Sequence, residues 1–297
     1  MKTPFPENHP RITIVTPSLN QGRYIRETIE SIITQDYPNL EYFIIDGGST
    51  DGSADIIREY EDHVDYWVSE NDRGQSDAIM KGSARATGEL FAWVNSDDVL
   101  LPGCLTAIAE NYLQNQKPDI VTANVTYMDD NGKITRYVRL PQQSRFFFFR
   151  GIWHASAPAV FFKTSLFHAA GGVNPDYHLC MDLDLWMKMM KKGARVAHIS
   201  RYLGAFRWHA NAKTVISIDK QTAALSSERT EILKENITGF SIRKVLFWRK
   251  VYKLYQIANL NYLREYLSCR SVKGKLWWQI FRAGPSALLS CKNPNSR

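Results

Sequence analysis

Two adjacent carboxylates, Asp97 and Asp98, follow the apolar run Phe91–Val94 almost directly. Such a run predicts a buried strand, and a strand that ends near paired acids carries them to the carboxyl edge of a sheet, where open α/β folds bind ligands. Carboxylate oxygens suit a hard divalent cation, which also binds phosphate groups. A helix cap is the alternative interpretation, because Pro102 is typical of the first turn of a following helix.

Four other polar clusters follow strand-like runs or open helices in the same way. They lie at residues 16–20, 46–51, 72–81 and 181–184. Because parallel strands send their carboxyl ends to one edge of a sheet, we expect the first three to converge with the cluster at residues 95–98. Neither glycine-rich phosphate cradle, GxGxxG or GxxxxGK[ST], is found, which disfavours an NAD dehydrogenase.

Each candidate side chain also has a purely structural interpretation. Asp46 is either a turn acid or an acceptor for a base N–H or a ribose hydroxyl. Arg73 is either a solvated residue or a phosphate ligand, and Asp77 stands four residues before a lysine, the spacing of a helix-stabilising pair. Asp182 is either a helix cap or a general base. His209 is either structural or a ligand of metal or phosphate.

The predicted elements that position these clusters alternate between strand and helix over residues 11–123. This order indicates a mostly parallel central sheet with helices on both faces. A hairpin is predicted around residues 129–132, and two separate strands at 195–199 and 203–208. The phenylalanine run at residues 146–149 is interpreted as core, with a mobile lid or a membrane-facing loop as alternatives.

Composition is that of a globular protein of 297 residues, with 44% hydrophobic and 23% charged residues. The four cysteines show no CxxC spacing, which favours a reducing compartment. The first residues do not resemble a signal peptide, and no apolar run is long enough to predict a spanning helix. From Arg243 to Arg297 there are 12 basic residues and one acid, so this tail has a net charge of +11. Since the whole chain has a net charge of +7, the remainder has a net charge of −4.

Taken together in chain order, the clusters resemble the family 2 glycosyltransferases. The resemblance covers roughly residues 10–215, and the ordered set is far more specific than any one piece. The matching segments are IVTPSLN at 14–20, IIDGGSTDG at 44–52, ENDRGQSDA at 70–78, TGE at 87–89, NSDD at 95–98 and MDLDLW at 181–186.

This resemblance implies the GT-A fold, which is Rossmann-like, a nucleotide-sugar donor, a divalent metal (Mg²⁺ or Mn²⁺) and sugar transfer with inversion at the anomeric carbon. It implies Asp182 as the catalytic base. The metal ligands implied by the resemblance are Asp97, Asp98 and His209. The residues that the resemblance implies in binding of the donor nucleotide are Thr16, Pro17, Asn20, Asp46, Arg73, Asp77, Asn95 and Ser96.

Two departures from the family pattern affect the predicted site. Asn95 occupies a position where the family often has aspartate in its DxD motif, which lowers the charge of the site. Met181 stands where the base motif usually has glutamate, so a neighbouring acid is lost while Asp182 is kept. The resemblance divides the chain into a transferase domain at 1–238, with a nucleotide-sugar half at 10–123 and an acceptor half at 124–238, and a basic helical extension at 239–297.

The function expected from these features is synthesis of a cell-surface polysaccharide or glycolipid from a UDP- or dTDP-sugar. A glycan or lipid-linked acceptor is expected, with the chain in the cytoplasm. Basic residues among aromatics in the tail suit contact with the inner face of the cell membrane, or packing on the domain. The alternative functions are a sugar-phosphate nucleotidyltransferase and a non-catalytic basic nucleic-acid-binding protein; no nucleic-acid partner is expected, because the body is acidic.

Overall fold

The computed structural model describes residues 9–140, 142–152, 157–213 and 222–258. The strands are β1 Ile12–Ser18, β2 Leu40–Asp46, β3 Tyr66–Ser69, β4 Leu90–Trp93, β5 Val99–Leu100, β6 Ile120–Met128, β7 Ile134–Val138, β8 Val160–Lys163 and β9 Val196–Arg207. The α-helices are α1 Ile25–Ile33, α2 Ser53–Arg58, α3 Gln75–Ser83, α4 Cys104–Gln114, α5 Arg145–Phe148, α6 Thr164–Ala169, α7 Met181–Lys191, α8 Thr222–Asn236 and α9 Ile242–Ala258.

One sheet joins the strands of the described residues in the order β3-β2-β1-β4-β8-β6-β9-β5, with β7 beside β6. Strands β1 to β4 pair in parallel. Strand β8 is antiparallel to both β4 and β6, so β6 runs in the same direction as β4, and β9 is parallel to β6. The predicted mostly parallel sheet is confirmed, and β5, β7 and β8 run against it.

The sheet separates two hydrophobic layers because alternate residues of a strand face opposite sides. In β1, Ile12 and Ile14 join the layer formed with α1 and α4, whereas Val15 joins the layer formed with α3 and α7. Helices therefore cover both faces, as the alternating sequence pattern predicted. The sheet also continues through residue 123, where the sequence suggested a division into halves, because β6 spans it.

Helix α3 packs unusually close to β1. A Cβ atom placed on Gly82 would lie 2.6 Å from Val15 Cγ1, which no real side chain tolerates. Glycine at this position brings the last turn of α3 against the middle of β1, and Gln75 at the start of the helix lines the same cleft as Pro17.

The prediction of two strands at 195–199 and 203–208 is wrong, because one strand, β9, spans Val196–Arg207. The sequence break corresponds to a bulge, where Ala123 pairs with Ile199 but Asn124 pairs with Tyr202. Extra residues in one strand bend it without ending it. The predicted hairpin is confirmed as β6 and β7.

The phenylalanine run at 146–149 is only partly core. Phe148 is buried, whereas Phe146 is 49% exposed. The basic tail is helical where it is described, over Ile242–Ala258, and the predicted helix near residues 276–281 lies outside the described residues. None of the described helices has the length and hydrophobicity needed to cross a membrane.

Candidate active site

A cleft of about 600 Å³ lies at the carboxyl ends of β1 and β4, where the sequence predicted a site. Five of the predicted site residues line it: Pro17, Asn95, Ser96, Asp97 and Asp182. Other residues of the lining come from β4, α3, the loop before α7 and the segment after β9, including Trp93, Gln75, His178, Trp208 and Lys213. The structure therefore brings the 95–98 turn and the start of α7 to one cavity.

Asp97 lines the cleft, and His209 lies behind it in contact with its carboxylate. His209 Nε2 lies 3.0 Å from Asp97 Oδ2, and the imidazole packs on the Tyr24 ring with 4.7 Å between centroids. His209 is buried while the Asp97 side chain is 19% exposed, so Asp97 is the more accessible member of the pair. Both groups are lone-pair donors that bind divalent metals.

Asp98, the second acid of the pair, is turned into the protein. Its Oδ1 accepts the backbone N–H of Arg207 at 2.9 Å, and its Oδ2 accepts the Asn95 amide at 3.1 Å. Burial, with the neighbouring charge of Asp97, raises the pKa of Asp98 well above its usual value. The geometry corrects the prediction of Asp98 as a metal ligand: this side chain supports the 95–98 turn.

The turn is also held by Arg207, which the sequence reasoning did not select. Its guanidinium is fully buried, donates to the Asp97 carbonyl oxygen at 2.9 Å and pairs with Glu27 Oε2 at 2.6 Å. The same group lies over the Tyr24 ring, 4.8 Å from its centroid. A buried charge with an ion pair and several acceptors is rigid, so Arg207 fixes the backbone that carries Asp97. An arginine next to a candidate histidine was the only sequence signal for it.

Asp182 stands in the first turn of α7 on the wall of the cleft. Its Oδ1 accepts the backbone N–H of Leu183 at 2.7 Å. Burial raises the pKa of the Asp182 carboxyl to about 6, although that hydrogen bond and the Lys213 charge act in the opposite direction. A carboxylate with this pKa is a stronger base than an exposed aspartate and is still mostly ionised at neutral pH.

Glu228, on α8, clamps the segment just before Asp182. Its carboxylate accepts the backbone N–H groups of three successive residues at 2.9–3.1 Å: His178, Leu179 and Cys180. These donors precede α7, where a negative charge is favourable. Nothing in the sequence near position 228 suggests this contact.

The other predicted donor ligands lie around the cleft and are occupied by internal partners. Asp46 is buried and accepts from Ser49 N at 2.9 Å and Ser69 Oγ at 2.6 Å. Thr16 is also buried, 3.1 Å from the Tyr42 hydroxyl.

Asn20 joins two loops at the edge of the sheet. Its backbone N–H donates to Ser49 Oγ at 2.7 Å, and its Oδ1 accepts the N–H of Thr50 at 2.9 Å. Its φ of 53° is a left-handed conformation that asparagine tolerates better than most residues. Asn20 therefore ties the loop after β1 to the loop after β2.

Asp77 forms the pair that its spacing to Lys81 predicted, with 3.7 Å between Lys81 Nζ and Asp77 Oδ2, and it also pairs with Arg73. Arg73 Nη2 lies 3.0 Å from Asp77 Oδ1, and the Arg73 side chain is 81% exposed. The hydrogen bond from Arg73 holds the pKa of Asp77 below its usual value. Their neighbours Asp72, Gly74 and Gln75 line the cleft, so the exposed guanidinium lies next to it.

No group of three or more histidine, cysteine, aspartate or glutamate side chains among the described residues is arranged to hold a metal ion by itself. Asp97 and His209 are a pair, and a cation with only two protein ligands needs oxygen atoms from water or substrate. This fits the way magnesium binds with nucleotide phosphates, and the residues present therefore suit a metal that arrives with its substrate.

A mostly parallel sheet with this cleft, and with an acidic turn after its fourth strand, is the architecture of a GT-A glycosyltransferase. The family model "Glycosyl transferase family 2" matches residues 13–170, and the chain belongs to that family. The resemblance stated from the sequence is thereby confirmed.

Relatives and solved structures agree with this assignment. The putative teichuronic acid biosynthesis glycosyltransferase TuaG of Bacillus subtilis is 26% identical over 72% of this chain and 84% of its own length. An uncharacterised glycosyltransferase of Rickettsia felis is 28% identical over 61% of this chain, which spans only 32% of that relative.

Two solved structures share the fold. S. aureus TarS 1–349 in complex with UDP-GlcNAc matches with a TM-score of 0.56 and 18% identity, covering 76% of this chain and 71% of that one. Mannosyltransferase PcManGT of Pyrobaculum calidifontis, in complex with GDP-Man and Mn²⁺, matches with a TM-score of 0.59 and 20% identity, covering 98% and 83%. At these identities the likeness shows the fold alone.

Proposed function

We propose that this chain transfers a sugar from a nucleoside-diphosphate sugar to a hydroxyl group of its acceptor, with inversion at the anomeric carbon. The observation that carries the proposal is that Asp97 and Asp182 line one cleft. Asp97 is suited to the diphosphate end of a donor, through a metal ion, and Asp182 is suited to accepting a proton from the acceptor hydroxyl. The two residues lie on different elements, and the sugar of the donor would lie between them.

Asp97 and His209 would hold the divalent metal, Mg²⁺ or Mn²⁺. When bound, such an ion neutralises the negative charge that grows on the departing diphosphate. Arg207 and Asp98 keep the turn in place through backbone contacts. Asn95 lies in the lining with its Oδ1 accepting from Gln75 Nε2 at 2.6 Å, so an amide rather than a charge faces the donor there.

Asp182 would act as the general base. Its carboxylate takes the proton of the acceptor hydroxyl while that oxygen bonds to the anomeric carbon. The bond from this carbon to the phosphate oxygen breaks on the opposite face, and the electron pair leaves with the nucleoside diphosphate. One displacement inverts the anomeric centre, and the sugar passes through an oxocarbenium-like transition state, as in glycoside hydrolysis.

Pro17, Ser96 and Asn95 would contact the donor directly, since they line the cleft. The exposed guanidinium of Arg73 is available to a phosphate when it leaves Asp77. Thr16, Asn20 and Asp46 would shape the nucleotide pocket through the loops after β1 and β2. Residues 10–123 would thus form the nucleotide-sugar half and residues 124–238 the acceptor half, with residues 239–297 as an extension.

The substrates we propose are a UDP- or dTDP-sugar and a glycan or lipid-linked acceptor in cell-surface polysaccharide or glycolipid synthesis, with the enzyme in the cytoplasm. TuaG is named for teichuronic acid biosynthesis, which supports the choice of a cell-surface acceptor. The TarS structure holds UDP-GlcNAc, which supports testing UDP-sugars first. The free, buried thiols of Cys104 and Cys180 agree with a reducing compartment.

A thermal-shift screen of UDP-, dTDP- and GDP-sugars, each with Mg²⁺, Mn²⁺ or a chelator, tests the donor. A ligand at about 100 times its Kd adds about 2.7 kcal/mol to the free energy of unfolding, which raises Tm by several degrees. Turnover of the best donor should release a nucleoside diphosphate and yield the opposite anomer by NMR. Release of inorganic diphosphate would instead identify a nucleotidyltransferase.

The clamp by Glu228 makes a further prediction for this reaction. In Glu228→Gln the three backbone N–H groups lose their charged acceptor, so Asp182 is no longer held at the acceptor hydroxyl. We expect kcat to fall roughly tenfold to a hundredfold, the cost of a small misplacement of a catalytic group. The Kd of the donor should stay unchanged because the donor contacts lie on other elements.

The matched control is Glu231→Gln, on the same helix, which should leave kcat unchanged. Steady-state kinetics, calorimetric donor binding and Tm are measured for both variants. A loss of donor affinity in parallel with Tm would show that Glu228 serves only to keep α8 folded. An unchanged kcat would show that the clamp does not position Asp182.

A further inference from the structure

Segment α5 and helix α9 are far apart in sequence, but their aromatic side chains meet in one cluster. The Phe146 and Trp248 rings lie 5.3 Å apart edge to face, and Phe147 lies 4.9 Å from Tyr252. The Arg150 guanidinium covers both Phe146 and Trp248, at 3.4 and 4.7 Å from their centroids. These contacts place α9 on the transferase domain beside α5.

Val245 anchors the inner side of α9. It is buried, and a Cβ on Gly151 would lie 3.1 Å from its Cγ1. Gly151 has a φ of +76°, a conformation that favours glycine, and it lies three residues after the end of α5. The close approach sets which side of α9 faces the domain, and therefore which side faces outward.

The exposed surface of α9 includes several large apolar side chains, which is unusual for a helix in water. Phe146 on α5 continues the same surface with 49% exposure. The exposed apolar side chains of α9 are 50–66% accessible: Ile242, Leu246, Phe247, Leu254 and Tyr255.

Positive charge is interleaved with these apolar groups. Residues 240–258 contain five basic side chains and no acid. All five are exposed: Arg243, Lys244, Arg249, Lys250 and Lys253. We call this surface, formed by Phe146, Arg150 and the exposed residues of α9, the aromatic-basic face.

We propose that the aromatic-basic face binds the surface of a membrane rich in anionic phospholipid. Apolar side chains alternating with lysine and arginine suit the boundary between headgroups and acyl chains, where the apolar groups enter and the cations meet phosphate. Long basic side chains reach the headgroups while their stems stay apolar. The proposal stands independently of the sugar-transfer reaction, because none of these residues lines the cleft.

Other occupants of this face are less well matched. A nucleic acid would use the cations and the aromatic rings, but Ile242, Leu246 and Leu254 offer a base no stacking surface. A second copy of the chain would bring five like charges against five more, which disfavours a symmetric contact. A lipid surface uses both the aliphatic groups and the charge.

The test is co-sedimentation of the full chain with vesicles of phosphatidylcholine, with or without phosphatidylglycerol. Binding should require phosphatidylglycerol and weaken with added salt, since screening reduces the attraction. The double variant Lys250→Gln/Lys253→Gln should bind roughly tenfold to thirtyfold more weakly, at about 1 kcal/mol for each cation. Leu246→Ser/Leu254→Ser should show a comparable loss at constant charge.

Matched controls are Leu113→Ser, a partly exposed leucine on α4, and Lys133→Gln in the β6–β7 turn, which should bind like the unchanged chain. Tm and donor affinity should be unchanged in all variants, which separates a failed membrane contact from a failed fold. Equal sedimentation of the α9 variants and the controls would overturn the proposal. So would binding to pure phosphatidylcholine at equal strength, or release from vesicles by single-stranded nucleic acid at low salt.

Discussion

Replacing Asp182 with asparagine is expected to lower kcat by roughly 10² to 10⁴-fold, the usual contribution of a general base. Asparagine has nearly the same shape and can still accept the Leu183 N–H, so the first turn of α7 should keep its geometry. It cannot take the acceptor proton. Donor affinity, measured by calorimetry, should stay close to that of the unchanged enzyme, because the donor contacts lie on other elements.

The pH dependence of the same residue provides a second readout. Burial raises the pKa of Asp182 to about 6, and the base acts only when deprotonated. Activity should therefore be present above about pH 6 and fall as the pH drops through this value. A profile of kcat/KM against pH measures the acid limb, which should be absent in Asp182→Asn.

The control for both experiments is Asp176→Asn, an exposed acid in the loop before α7. It should leave kcat and the acid limb unchanged. Near-normal turnover in Asp182→Asn would remove this residue as the base. An acid limb near pH 4 would indicate instead that an exposed carboxylate takes the proton.

Replacing Asp97 with alanine is expected to abolish the metal-dependent part of donor binding. Even partners outside the ligand sphere change metal affinity roughly tenfold to a hundredfold, and a direct ligand should cost at least as much. Calorimetry of the nucleoside diphosphate with Mn²⁺ and with a chelator gives two Kd values. Their ratio should be large in the unchanged enzyme and close to one in the variant.

Asp97→Ala also leaves the buried His209 without its 3.0 Å partner. Asp97→Asn is therefore the companion variant, because its amide can still bond to the imidazole while the charge is lost. It should keep the Tm of the parent chain and lose the metal dependence. Asp55→Asn, an exposed acid on α2, serves as the charge control. Unchanged metal-dependent binding in Asp97→Asn and Asp97→Ala would exclude Asp97 as a ligand.

The sequence predicted the edge of the sheet at which the cleft lies, because each strand is predicted from its own residues and parallel strands end at the same edge. Leu90–Trp93 is apolar over its whole length and Ile12–Ser18 is rich in β-branched residues, which predicts buried strands. Once these strands are parallel, polar residues at their ends must meet at one edge. The cleft lies at that edge, and Asp97 and Asp182 line it.

The different roles of two adjacent aspartates could not be distinguished from the sequence. Asp97 and Asp98 were both predicted as metal ligands, yet Asp97 faces the cleft and Asp98 accepts the Arg207 N–H. Which acid turns inward depends on the strand that passes behind the turn. That strand is β9, more than a hundred residues later, and no local pattern in the turn refers to it.

Local periodicity in this chain thus determined the sheet, its two helical layers and the edge that carries the candidate site, because burial of each strand and helix depends on its own residues. Only the tertiary structure decided the partners: Arg207 under the turn, Glu228 on the segment before Asp182, and α9 against α5 with apolar and basic side chains exposed. These contacts join elements distant along the chain, and their geometry depends on packing that sequence spacing does not encode.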